Sequence, residues 1–94
     1  MIIQISKFGT VLNGRPSARE AVLRMFQIIN GSADKEDVVL DFSAVEVLSP
    51  SFADELLSQL NEKYGMDKVK IVNAKSAAVS ETLEAIKLVK ANAS

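Results

Sequence analysis

Two hydroxyls and two carboxylates crowd into the short stretch "SPSFADE": Ser49, Ser51, Asp54 and Glu55. A further acid, Asp41, sits near the end of the apolar run "VVLDF" just upstream. Hydroxyls can accept a phosphoryl group or attack as nucleophiles, and paired carboxylates can move protons. A serine nucleophile needs a base, and the chain has no histidine, no cysteine and no lysine near these serines. Catalysis is therefore not expected, nor is a metal centre of thiolate or imidazole ligands. No cofactor is expected either. Gly14 with Asn13 marks a turn, and no phosphate-cradling G-x-x-x-x-G-K-[ST] run follows it.

These residues stand where a strand hands over to a helix, and helix initiation alone can explain a serine there. Ser49 can cap the helix with Pro50 at its first position, since proline fits a first turn and pushes the residue before it into an extended conformation. Ser51 can instead be the cap, answered by Asp54 three residues on. The Ser49 reading leaves the Ser51 hydroxyl free. A phosphate on Ser51 would gain from the amides and dipole of the helix start. Asp54 and Glu55, read as first-turn acids, would repel it, so modification would switch a partner off rather than order the loop.

Asp41 is costly inside an apolar strand unless paired, so it is expected at the strand's rim as a loop organiser, accepting backbone amides from "SAVEVL", with metal or partner binding as the alternative. Arg15 and Arg19 bracket the start of the first helix, where positive charge opposes the dipole. They are read as solvated, with an acidic partner or Asp41 as the alternatives. Phe52, at helical spacing with Leu56, is read as core.

The elements that hold this junction follow from periodicity. "MIIQI" is a strand, "TVLNG" a second short strand paired with it through a turn near Gly9. In "GRPSAREAVLRMFQIING", Ser17 and Glu20 have the spacing of a capping box, Val22, Met25, Phe26 and Ile29 recur at helical spacing, and Gly31 stops the helix. After the polar link "SADKED", "VVLDF" is an unbroken apolar run, expected to be covered by helices on both faces. Phe52, Leu56, Leu57, Leu60 and Tyr64 mark the second helix, which Gly65 ends. "VKIVN" is a further strand. Val79, Leu83, Ile86 and Val89 line one face of a last helix, with Glu81, Glu84, Lys87 and Lys90 facing away.

Strand and helix alternation with short links implies an α/β fold: a mainly parallel sheet of four to five strands packed with three helices, with a short N-terminal hairpin. Ligands of open sheets of this kind meet the carboxyl ends of the strands, and residues 43–54 lie at that rim. The 94 residues are expected to form a single domain over 1–94. A net charge of -1 gives no field favouring a nucleic-acid backbone. No signal-peptide pattern and no run of about 18 apolar residues appears, so a cytoplasmic protein without membrane contact is expected.

"VVLDFSAVEVLSPSFADELL" resembles the central motif of STAS domains, the fold of anti-sigma-factor antagonists, in which an apolar strand ending in Asp or Asn leads to a serine at a helix start. "VLNGRPSAREAVLRMF" is similar to that family's second strand and first helix. A closer likeness is to the bacterial STAS-like family of uncharacterised function that carries Ser-Phe-Ala-Asp-Glu at this junction. The resemblance implies a STAS-like domain. It sets Ser51 on the serine or threonine that a partner kinase phosphorylates in the antagonists, and Asp41 on their strand-end acid. The usual acid two places before that serine is here Ser49, and the glycine after it is Phe52.

The resemblance implies a non-enzymatic regulatory module that binds a histidine-kinase-like ATPase. Ser51 is the phosphoacceptor candidate, and Ser49, Pro50, Asp54 and Glu55 are the partner-binding residues. The alternative is a small-ligand, nucleotide-binding domain at the start of the second helix, where dipole and amides permit it. A monomer or weak dimer is expected, since no spare apolar stripe remains for an obligate oligomer.

Overall fold

The computed structural model describes residues 1–29 and 37–93, the side chains of 87–93 excepted. The elements run β1 (Ile2–Gln4), a 3-10 turn (Ile5–Phe8), β2 (Val11–Leu12), α1 (Arg15–Ile29), β3 (Val38–Asp41), β4 (Val47–Leu48), α2 (Pro50–Tyr64), β5 (Val69–Val72) and α3 (Ala77–Ala93). β1, β3 and β5 form a three-stranded parallel sheet in that spatial order, and β2 and β4 form a separate parallel pair. The fold is α/β and STAS-like, with three helices and parallel strands shared between two sheets.

The short N-terminal hairpin does not form. Ile5, the last residue of the expected first strand, is fully buried as the first residue of the 3-10 turn, which takes the chain out of strand geometry before Gly9. Gly9, at φ +136°, then redirects the chain so that β2 lies beside β4 instead of β1. The single sheet expected from the sequence is accordingly split in two.

Helix packing is one-sided. Ile3, Val38 and Leu40 face a core that also takes the apolar stripes of all three helices: Val22, Met25 and Ile29 from α1, Phe52, Leu56 and Leu60 from α2, Val79, Leu83 and Ile86 from α3. Phe26 stays half-buried, its ring edge-on to Tyr64 at 6.0 Å between centroids, with the Lys63 ammonium 4.8 Å from it. The opposite face of β1, β3 and β5 carries Ile2, Val39 and Lys70 in register, with Ile2 68% exposed. Burial therefore alternates along "VVLD", and the double coverage expected from its apolar run is absent among the described residues. A continuous apolar run shows only that a strand is apolar; which faces are covered depends on where the helices land.

Ser17 lies inside α1, which begins at Arg15, so no capping box opens that helix. Pro16 near its start is tolerated because first-turn amides have no intrahelical partner. α2 ends at Gly65, whose N–H bonds the Asn61 carbonyl at 2.9 Å with φ +95°. The expected helix stop at Gly31, most of the link "SADKED", and the side chains of Lys87, Val89 and Lys90 lie outside the described residues. No helix among the described residues is long and apolar enough to cross a membrane.

Candidate functional site

The β2–β4 pair determines where the site lies. Val11 pairs with Val47 and Leu12 with Leu48, and the Ser49 N–H extends the ladder to the Leu12 carbonyl at 2.8 Å. Because the strands are parallel and each runs into a helix, the starts of α1 and α2 come out side by side. Both positive helix ends therefore face one small region.

Ser49 is the cap of α2, with Pro50 at the first helical position. Its Oγ accepts the Phe52 N–H at 3.1 Å and the Gly14 N–H at 3.2 Å, and lies 3.2 Å from the Ser51 Oγ. A hydroxyl has two acceptor sites and one proton. With both acceptor sites taken by amides, the Ser49 proton goes to Ser51, and the half-buried Ser51 turns its own proton away from Ser49. The Ser51 oxygen is thus engaged, not free as the capping argument alone implies, while its O–H remains available.

Asp54 and Glu55 are not first-turn acids, because the cap at Ser49 starts the helix at Pro50 and leaves both acids beyond its first turn. Instead they meet α1: Arg15 Nη1 lies 2.9 Å from Asp54 Oδ2 and 3.5 Å from Glu55 Oε1, and Arg19 Nη2 lies 3.7 Å from Glu55 Oε1. Gln59 also donates to Glu55 Oε2 at 2.6 Å. The bond from Gln59, with the two arginines behind it, holds the Glu55 carboxyl below its usual range, against a desolvation that raises it. Arg15 is held charged chiefly by its bond to Asp54. Neither arginine is simply solvated, and neither reaches Asp41. Sequence spacing could not find these pairs, since they join helices far apart in the chain; the only local hint was two arginines placed against the dipole of a helix start.

Asp41 ends β3 at the rim. Its Oδ1 accepts the Ser43 N–H at 2.9 Å and the Asn73 side-chain amide at 3.0 Å, and these donors, Ser43 foremost, lower its pKa. The bonds tie the loop after β3 to the loop after β5. Ala44 (φ +68°) and Asn73 (φ +59°) both take left-handed backbone beside it. A shallow cleft of about 340 Å³ opens there, with Phe42 and Val45 as its apolar floor and Asn73, Lys75 and Ser76 on its rim. Asp41 and Ser51 thus belong to separate places: Asp41 to the rim of the larger sheet, Ser51 to the meeting of two helix starts.

A family model described as a STAS-like domain of unknown function matches residues 24–78, more than half of the chain, and the chain belongs to that family. The matched stretch contains β3, β4, α2 and β5, and with them Asp41 and all of Ser49 to Glu55. Gly14, Arg15 and Arg19 lie before it. No curated protein and no solved structure shows significant similarity to the chain.

Proposed function

We propose that this domain is a non-enzymatic regulatory module of the cytoplasm that binds a histidine-kinase-like ATPase and accepts a phosphoryl group on Ser51. The observation that carries the reading is the placement of the Ser51 hydroxyl: its oxygen lies 3.2 Å from the Ser49 Oγ, and it stands where two helix starts meet. The likeness to anti-sigma-factor antagonists supplies the class of partner. On the strand pair that leads into the two helix starts, Val11 and Val47 form a cross-strand apolar pair that is 61% and 46% exposed, a surface on which a protein can seat.

In the transfer the Ser51 Oγ attacks the γ-phosphorus of ATP. The new O–P bond forms as the bond to the ADP leaving group breaks, and the hydroxyl proton passes to a base on the partner. Asp54 and Glu55, already occupied by Arg15 and Arg19, oppose the arriving charge less than two unpaired acids would.

The test is to incubate the protein with its ATPase and ATP and weigh it. One added phosphoryl group, absent from Ser51→Ala, is the expected result; no mass change under conditions where the two proteins bind removes the switch. Calorimetry with ATP or GTP alone separates the ligand-binding alternative, because heat without a protein partner supports a nucleotide site instead.

A further inference from the structure

Ser51, Asp54 and Glu55 stand at i, i+3 and i+4 on α2, so they share one face of that helix, with neighbouring side chains about 5–6 Å apart at their Cβ atoms. Arg15 already meets this face, bound to both acids, with its side chain 45% exposed. The two bonds are unequal: the one to Asp54 is 2.9 Å, the one to Glu55 3.5 Å. Glu55 has Gln59 and Arg19 besides. Arg15 is therefore tied mainly to a single carboxylate, that of Asp54, which stands one helical turn from Ser51.

We propose that Arg15 is the phosphate-binding residue of Ser51, exchanging its ion pair with Asp54 for one with the phosphate when Ser51 is modified. The inference rests on the reading of Ser51 as a phosphoacceptor. A phosphate carries roughly -1.5 to -2 charge and three acceptor oxygens against the single charge of a carboxylate, and arginine bonds it through two parallel N–H groups. The donors around it are otherwise few. Pro50 has no N–H, and the Phe52 and Ala53 N–H groups go to the Ser49 side chain and carbonyl. That leaves the Ser49 O–H, already aimed at Ser51, and the Ser51 amide as the local donors beside Arg15.

The exchange gives modification a structural consequence. Glu55 keeps Arg19 and Gln59, so α1 and α2 stay joined there, while Asp54 gives up its bond to Arg15. The surface around the start of α2 then carries the phosphate and an Asp54 carboxylate released from Arg15. A partner that docks on this surface meets a changed charge, not a changed fold.

The experiment builds phosphoserine into position 51 of the full chain during synthesis, so that it needs no kinase. Phosphorus NMR across pH then reads the second ionisation of the phosphate. With Arg15 bound, it is expected at least half a pH unit below that of phosphoserine in an unstructured peptide, near 6. Arg15→Gln should abolish the depression and Arg19→Gln should retain most of it. In the unsubstituted chain, the Arg15 side-chain N–H resonances should move downfield on phosphorylation, a reading that depends on no variant. An ionisation at or above the peptide value, an equal response to both arginine variants, or unmoved Arg15 resonances overturns the proposal. Failure of the ATPase to modify Ser51 is a separate result, because it tests the donor of the phosphate and not the residue that holds it.

Discussion

The Ser49 hydroxyl bonds the Gly14 N–H at 3.2 Å across the gap between two parallel strands, while the same oxygen caps α2 through the Phe52 N–H. One side chain thereby joins the starts of two helices that are distant in sequence, and it holds Ser51 at their meeting point. Two expectations rest on this and the neighbouring contacts, and two more on the rim around Asp41.

Ser49→Ala removes the cap and leaves the Gly14 N–H without its acceptor. The cap is worth about 1 kcal/mol and a part-buried unpaired amide about 1 kcal/mol more, so a loss of about 1.5–3 kcal/mol is expected. Ser51→Ala, which leaves both amide bonds intact, should cost under about 1 kcal/mol. Urea unfolding of the two variants side by side measures the difference; equal losses would show that Ser49 does not bridge the helices.

Arg15→Gln breaks the pairs with Asp54 and Glu55, yet Arg15 is largely exposed and Glu55 retains Arg19 and Gln59. Exposed ion pairs add little to stability and are screened by salt, so the variant should unfold close to the parent and lose part of any difference in high salt. A large, salt-insensitive loss would mean that Arg15 supports packing instead.

Asp41 carries a lowered pKa because Ser43 and Asn73 donate to its charged form. A carboxylate that is more acidic folded than unfolded adds stability above its unfolded pKa, and that contribution disappears as pH falls through the folded value. Asp41→Asn keeps an oxygen acceptor without the charge. The stability gap between parent and variant should therefore be full near neutrality and close as pH drops below the ordinary aspartate range. Thermal melts from pH 7 to pH 2 follow it, and a gap that widens on acidification contradicts the assignment.

Ala44 holds left-handed backbone at φ +68°, a conformation that disfavours a residue with a Cβ by about 1–2 kcal/mol. Glycine removes that strain but frees the unfolded chain by about 0.4–1 kcal/mol. Ala44→Gly is thus expected to raise stability slightly, by about 0.5 kcal/mol, with Ala44→Val lowering it well beyond that. Denaturant midpoints of the pair test the sign.

Local signals in the chain determined much of the architecture. Apolar residues at helical spacing placed α1, α2 and the described part of α3, because one buried stripe per helix is a property of its own few turns. Ser49, Pro50 and Gly65 marked the ends of α2 for the same reason, since caps act on amides and carbonyls within a turn. The Ser-Phe-Ala-Asp-Glu junction was enough to point to the family.

Tertiary structure decided what depends on contacts between distant segments. Two strands as short as β1 and β2 carry no local mark of their partners, and burial of Ile5 sent them to different sheets. The apolar run of β3 could not tell which of its faces the helices would cover. Asp54 and Glu55 read as acids beside their own helix start; only the parallel pairing of β2 with β4 brought α1 alongside and turned them toward Arg15 and Arg19. Helical and strand spacing is written in neighbouring residues, whereas an ion pair between two helices depends on where the fold sets their starts.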